Sequence, residues 1–125
     1  MAFRVILAFA LLLTPGIMVI SGRIMTDHPP KTINGAYGYR TSMSMMNQDT
    51  WDYAQAACAE RWRKWGRILA LITLAVLIFA IRRPGGEDFM GYYTAFEVAF
   101  LLASVAATEL DLRRTFDEKG QRRED

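Results

Sequence analysis

Three long stretches of this chain are almost free of charge, and they constrain its fold more than any other feature. They cover residues 5–22, 68–81 and 89–108, with lengths of 18, 14 and 20 residues. Of the fifteen basic and thirteen acidic side chains, only Glu97 lies inside these stretches. A transmembrane helix needs about 20 mostly apolar residues. The segregation of charge therefore predicts an all-α integral membrane protein with three transmembrane helices.

The second stretch is too short to cross a bilayer unless the span begins at Trp65. The Arg67 guanidinium would then reach the lipid headgroups along its own aliphatic stem. Trp62 and Trp65 would lie at one membrane interface, where aromatic side chains are enriched. The predicted elements are a first transmembrane helix over 1–22, a cytoplasmic loop over 23–49, a juxtamembrane helix that continues into the second span over 50–83, a third helix with an extension over 89–116, and a flexible tail over 117–125.

The first stretch has some features of a cleaved signal peptide. Arg4 precedes it, and the small pair Ser21-Gly22 ends it. Pro15 and Gly16 are followed by more apolar residues, however, and no Ala-x-Ala cleavage site stands at the end of the stretch. The pattern therefore favours a retained membrane helix over a signal peptide.

The distribution of Lys and Arg predicts the orientation of the three spans. The N-terminus and the second loop share one side, which carries three basic residues, Arg4, Arg82 and Arg83. The first loop and the tail share the other side, which carries the remaining twelve. Because basic residues are enriched on the cytoplasmic side, we expect the long loop and the C-terminus to be cytoplasmic and the N-terminus to be outside.

Charge and motif content exclude several other classes of function. The net charge of +2 lacks the strong basic excess that is typical of nucleic-acid-binding proteins. The single cysteine, Cys58, cannot form an internal disulfide or a cysteine-based metal cluster. No motif for phosphate transfer, metal-dependent hydrolysis or nucleophilic catalysis is present. We therefore expect no enzyme activity, no catalytic residue, no metal and no cofactor.

The loop between the first two spans carries the most specific pattern in the chain. Its core reads Asn-Gly-Ala-Tyr-Gly-Tyr-Arg-Thr over residues 34–41, and a predicted helix capped by Asp49 or Thr50 follows. Arg40 offers five donors in a fixed fork, which could hold a lipid phosphate, a carboxylate or helix-end carbonyls. The loop could thus be a self-satisfied brace between two helices, or a ligand, lipid or partner site. The candidate binding residues are Asn34, Tyr37, Gly38, Tyr39, Arg40, Thr41, Ser44 and Trp51.

This pattern resembles the SdpI-like membrane proteins, a family named after an immunity protein against a secreted sporulation-delaying toxin. The family hallmark is Asn-x-x-Tyr-Gly-Tyr-Arg-Thr after a first membrane helix, then a Ser three residues later and a Trp-x-x-Ala helix that enters the next span. The likeness covers residues 17–81 of this chain. Three positions depart from the pattern, where Ser42, Gln55 and Ala59 replace the Pro, Asn and Gly that are common in the family.

The resemblance implies a small bacterial inner-membrane protein of the immunity or signalling type. Members confer toxin resistance, and the founding member also signals by holding a transcriptional repressor at the membrane. The implied partners are therefore the lipid bilayer, a protein partner or second copy, and a membrane-active toxin or a repressor, with no nucleic acid. The founder has more spans than this chain can hold.

The third span has two contrasting faces. Small residues recur at every fourth position, which lets another helix approach closely. Glu97 lies on the opposite face, together with Tyr93, at about 12 Å depth in a core of about 30 Å. An acid at that depth has either a functional or assembly role, or is protonated and bonded to a neighbouring hydroxyl. The predicted helix-packing residues are Gly91, Ala95, Ala99 and Ala103.

Two functional hypotheses follow from these patterns. The first is an immunity or signalling protein that binds a toxin, lipid or protein partner through the loop around Arg40. The alternative is an accessory subunit of a larger membrane complex that docks through the small-residue face of the third helix.

Overall fold

The computed structural model describes residues 1–124 and confirms the all-α class. Three helices follow one another along the chain: α1 (Ala2–Asp27), α2 (Gln48–Ala80) and α3 (Gly86–Thr115). Within the described residues, the only β pairing is an isolated bridge between Phe116 and Arg122. Residues 28–47 form the long connection between α1 and α2, and residues 81–85 form a short turn before α3.

Helices α1 and α2 pack closely because each has a glycine where the two backbones meet. A Cβ atom added to Gly22 would lie 2.9 Å from the Ala59 carbonyl oxygen. One added to Gly66 would lie 3.0 Å from the backbone nitrogen of Val19. Such distances are shorter than van der Waals contact, so only glycine permits this approach.

The core consists of two apolar clusters at opposite ends of the helices. One cluster lies beneath the long loop and includes Tyr39, Cys58 and Phe116. The other lies near the short turn and includes Leu11 and Met90. Between them, α3 turns a polar face inward, and the following side chains are all buried: Thr73 of α2, and Tyr93, Glu97, Ser104 and Thr108 of α3.

The small residues of α3 lie on its outer face. Gly91, Ala95, Ala99 and Ala103 are all exposed, and a Cβ atom added to Gly91 would meet nothing within 4 Å. The small-residue stripe therefore does not pack against α1 or α2. The polar face of α3 makes the contact within the chain.

By length and composition, one described helix, α1, is long and apolar enough to cross a membrane. The apolar part of α2 follows the cations Arg63, Lys64 and Arg67, and α3 contains Glu97. Membrane spanning by α2 and α3 thus stays a prediction.

The starts of α1 and α3 lie at the same end of the molecule. Arg4 donates from Nε to the Glu87 carboxylate at 2.8 Å and from Nη1 to the Ile81 carbonyl at 2.8 Å. Hydrogen bonding to Arg4 lowers the pKa of the Glu87 carboxyl. The long loop lies at the opposite end.

Helix α2 begins earlier than the sequence predicts. Asn47 is its N-cap, since its side chain accepts a hydrogen bond from the Thr50 amide while the Thr50 hydroxyl accepts one from the Asn47 amide. Thr50 thus completes a capping box from the third helical position, and neither it nor Asp49 is the cap itself.

The C-terminal segment differs from the predicted flexible tail. After Phe116, which is fully buried, the chain folds back against the start of α2. The Asn47 side chain donates to the Gly120 carbonyl at 2.7 Å, and Arg122 forms two hydrogen bonds of 2.9 Å with Asp49. The mixed charges of residues 117–125 resemble those of a solvated tail, so the sequence pattern does not predict these contacts. Asp125 lies outside the described residues.

Candidate functional site

The motif loop, residues 34–44, is fastened to α2 by two residues, Gln55 and Thr50, and the Thr50 hydroxyl donates to the Ser44 carbonyl at 3.1 Å. The Gln55 side chain is buried, accepts from the Tyr39 amide at 2.7 Å and donates to the Tyr39 carbonyl at 2.8 Å. Gly38 precedes this contact with φ +108°, and a Cβ atom there would lie 2.6 Å from the Gln55 Oε1. The glycine is therefore required by both its backbone conformation and the close approach of Gln55.

Two further contacts hold the prolines beside the motif loop. The fully buried Trp51 donates from its indole Nε1 to the Pro30 carbonyl at 2.6 Å. The Tyr37 hydroxyl donates to the His28 carbonyl at 2.7 Å, and its ring is 39% exposed. The extended His-Pro-Pro segment is thus held between the motif loop and α2.

The loop is also tied to α3 through Glu109. The buried Tyr39 donates from its hydroxyl to Glu109 Oε1 at 2.8 Å, and the Thr41 hydroxyl donates to the same oxygen at 2.5 Å. Burial and the bond to Glu109 together raise the pKa of the Tyr39 phenol, so it stays protonated as a donor. Glu109 therefore joins the loop to the end of α3.

Asn34 and Ser44 shape the loop internally. The Asn34 side chain accepts from the amides of Ala36 and Tyr37 at 2.9 and 2.7 Å, which closes an Asx turn. The Ser44 hydroxyl donates to the Tyr39 carbonyl at 3.1 Å and accepts from the Thr41 amide at 2.8 Å. Both residues satisfy backbone groups and leave little capacity for a ligand.

Arg40 is the one charged residue of the motif loop, and its side chain is exposed. Its Nη1 donates to the Gly35 carbonyl at 2.6 Å, and no other residue in the described part of the chain hydrogen-bonds to the guanidinium. Most of its donor capacity therefore faces outward.

Beside Arg40 lies a groove of about 480 Å³, which we call the Arg40 groove. It is formed by the end of α1 (Ser21, Ile24, Met25), the motif loop from Tyr37 to Thr41, Cys58 and Trp62 of α2, and Val105 of α3. Burial raises the pKa of the Cys58 thiol to about 12, so the groove floor carries no thiolate at neutral pH. All three helices and the motif loop thus contribute to the lining of this groove.

The intramembrane pair predicted from the sequence is part of a larger buried cluster. Glu97, which is 2% exposed, accepts from the Thr73 hydroxyl at 3.1 Å. Thr73 also shares a hydrogen bond of 2.8 Å with the Tyr93 hydroxyl. Closer to the loop, Arg61 donates to Thr108 at 3.0 Å and to Asp111 at 2.6 Å. These contacts join α2 to α3 across the middle of the molecule.

Gln55, Thr73 and Glu109 were not among the predicted site residues. The family that the motif resembles commonly has Asn at the position of Gln55. A side-chain amide at this position in both cases is the only sequence signal for the role of Gln55. Thr73 and Glu109 contact residues 20 and 70 positions away, Tyr93 and Tyr39, so no local spacing could reveal them. Within residues 1–124, no group of three or more His, Cys, Asp or Glu side chains could hold a metal ion.

Comparisons with known proteins find similarity in the part of the chain that contains the motif loop, α2 and most of α3. The SdpI/YfhL protein family matches residues 31–108, which include the motif loop, α2 and most of α3. The chain is also 40% identical over 55 residues to the uncharacterized protein YfhL of Bacillus subtilis (strain 168). That alignment covers 44% of this chain and 50% of the relative's length. No solved structure matches. Since the family match extends over more than half of the residues, the chain belongs to the SdpI/YfhL protein family.

Proposed function

We propose that this protein is a three-span bacterial inner-membrane protein of the immunity or signalling type. In this proposal the long loop and the C-terminus are cytoplasmic, and the N-terminus is outside. The protein acts by binding a partner at the Arg40 surface, meaning Arg40, Tyr37 and the rim of the Arg40 groove, and not by catalysis.

Outward-facing apolar side chains on all three helices support the three spans. Ile17 of α1, Ile78 of α2 and Leu102 of α3 are 55%, 78% and 63% exposed, and many neighbours share these faces. Soluble monomers rarely expose contiguous apolar patches larger than a few hundred Å². The helices instead bury Thr73, Glu97 and other polar groups between them, which is the arrangement that a lipid solvent favours.

One observation carries the recognition proposal: the Arg40 side chain is exposed, although the residues on both sides of it are anchored to α3. Tyr39 and Thr41, the residues on either side of Arg40, are both anchored to Glu109 on α3. The Arg40 side chain is nevertheless exposed and has only a backbone carbonyl as partner. A functional group that rigid, packed neighbours hold in place is what a binding site requires.

The immunity role is tested by expressing the chain in bacteria that are sensitive to a membrane-active toxin. We expect survival to rise with the native chain and Arg40→Ala to abolish the protection, because the cation at the recognition surface is lost. Arg23→Ala is the matched control, since Arg23 is equally cationic but lies on α1 and pairs with Asp27 at 3.6 Å. Membrane levels of each variant are compared by immunoblot. Normal accumulation without protection against any tested toxin would reject the immunity role.

A second candidate function is an accessory subunit of a larger membrane complex. The exposure of Gly91, Ala95, Ala99 and Ala103 favours it, because a second helix could approach this face without displacing α1 or α2. We expect Ala99→Leu to release a copurifying partner, while Thr94→Leu, at an exposed position about 140° around the helix from Ala99, retains it. Recovery of the native chain as a partner-free monomer would contradict this alternative.

A further inference from the structure

We propose that the Arg40 groove binds an anionic phospholipid, with the headgroup phosphate at Arg40 and an acyl chain on the apolar floor. The inference deepens the proposed function, because it names the chemical class of one ligand of the same surface. It rests on the proposed membrane location of the three helices.

The size and lining of the groove suit one end of an amphipathic molecule. Its volume of about 480 Å³ lies within the range of small-molecule sites, about 300–1,000 Å³. Ile24, Met25, Trp62 and Val105 supply apolar surface from all three helices. An acyl chain on this floor would remove apolar surface from water on both partners.

The charge of the groove selects an anion. Within the described residues, Arg40 is the only charged side chain in the lining. Two hydroxyls of the motif loop are already engaged, since Tyr37 donates to His28 and Thr41 donates to Glu109. The Arg40 fork keeps Nε and Nη2 available, and this planar pair of donors matches two phosphate oxygens.

An apolar ridge leads away from the groove and distinguishes a lipid from a soluble anion. Ile24 forms the mouth of the groove and is 47% exposed. Ile20 and Ile17 follow on the same face of α1, and they are 61% and 55% exposed. A bound acyl chain could therefore continue from the groove along α1 toward the membrane interior, which a free phosphate ester could not use.

A neighbouring cavity lacks this selectivity. It measures about 540 Å³ and lies beneath the His-Pro-Pro segment, on the other side of Met25. Two bases, Lys31 and Arg63, and two acids, Asp52 and Glu60, line it. The opposite charges offset one another, so this cavity does not favour an anionic lipid.

The test is native mass spectrometry of the full chain in a mild detergent, with phosphatidylglycerol and phosphatidylcholine of identical acyl chains in competition. We expect phosphatidylglycerol to be retained preferentially. Arg40→Ala should weaken its binding by about tenfold, the loss expected for a charge-assisted hydrogen bond. Ile24→Asp, at a half-exposed position that tolerates a polar residue, should weaken it similarly by placing an anion at the mouth. Arg23→Ala should bind like the native chain, and circular dichroism checks that all variants keep their helices.

Three outcomes would overturn the lipid inference. These are equal retention of both lipids, unchanged binding in Arg40→Ala, and displacement of the lipid by glycerol 3-phosphate at equal concentration. If the preference is absent while Arg40→Ala still abolishes toxin protection, the lipid inference fails and the proposed function stands. If the preference is present but the chain protects against no toxin, the immunity role fails and the lipid site stands.

Discussion

The Tyr39 side chain joins the motif loop to a helix that begins almost fifty residues later. Its ring is buried in the cluster beneath the loop, its backbone bonds to Gln55, and its hydroxyl reaches Glu109. Most of the motif therefore has a structural use, whereas the side chains of Arg40 and Tyr37 are exposed. The conformation that presents Arg40 depends on buried neighbours that are not themselves available to a ligand.

Because Tyr39 is buried and Tyr37 is exposed, the same Tyr→Phe substitution should lower the free energy of unfolding unequally at the two positions. Tyr39→Phe keeps the ring but removes a buried hydrogen bond and leaves Glu109 with one donor fewer, so we expect a loss of about 1–2 kcal/mol in unfolding free energy. Tyr37→Phe removes the same hydroxyl from an exposed site and should cost about 0.5 kcal/mol or less. Denaturant unfolding in detergent micelles, followed by circular dichroism, measures both. Equal losses in the two variants would contradict the anchoring role of Tyr39.

The burial of Cys58 predicts that its thiol reacts slowly in the folded protein. Because its pKa is raised to about 12 in the folded protein, the thiolate fraction at pH 8 is very small, and the side chain is only 2% exposed. A maleimide reagent should therefore modify Cys58 slowly in mild detergent and rapidly in a denaturing one, where the pKa returns to about 8.5. The degree of modification is read by mass spectrometry. Rapid labelling of the folded chain would show that the groove floor is open to solvent.

At the scale of the helices, sequence patterns predict which elements exist better than they predict how the elements contact one another. Each of the three helices contains one of the three apolar stretches to within one residue, although the second stretch is short and predicts a long helix only together with the residues before it. The cap at Asn47 was missed, since Asp49 and Thr50 are equally good caps by residue type. The small-residue stripe of α3 predicts a face that another helix could approach, but it cannot reveal that α2 contacts the opposite, polar face through Thr73 and Tyr93.

The packing of α1 against α2 predicts opposite effects for two glycine substitutions on the same helix. Gly22→Ala places a methyl group 2.9 Å from the Ala59 carbonyl oxygen, so the helices must separate and stability should fall by about 1–3 kcal/mol. Gly16→Ala meets nothing within 4 Å and should be neutral or stabilising by up to about 1 kcal/mol, because alanine favours the helix. Thermal unfolding in micelles compares them. A destabilised Gly16→Ala with an unaffected Gly22→Ala would contradict this packing.

The whole molecule has two chemically different ends. The starts of α1 and α3 meet at the Arg4–Glu87 ion pair, whereas the motif loop, the start of α2 and the C-terminal segment meet at the other end. The Arg40 groove opens at this second end, next to the last turns of α1. If the three helices cross the membrane, the groove lies at the cytoplasmic interface, where basic residues are enriched. The position of the groove therefore depends on which side of the membrane each connection occupies.

Cysteine labelling in bacterial spheroplasts tests this topology most directly. In a Cys58→Ala background, the exposed positions Ser42, Pro84 and Gln121 are each replaced by cysteine and treated with a membrane-impermeant maleimide. Pro84→Cys should be labelled in intact spheroplasts, whereas Ser42→Cys and Gln121→Cys should be labelled only after the membrane is permeabilised. Labelling of Ser42→Cys and Pro84→Cys from the same side would show that α2 does not cross the membrane and would contradict the three-span account.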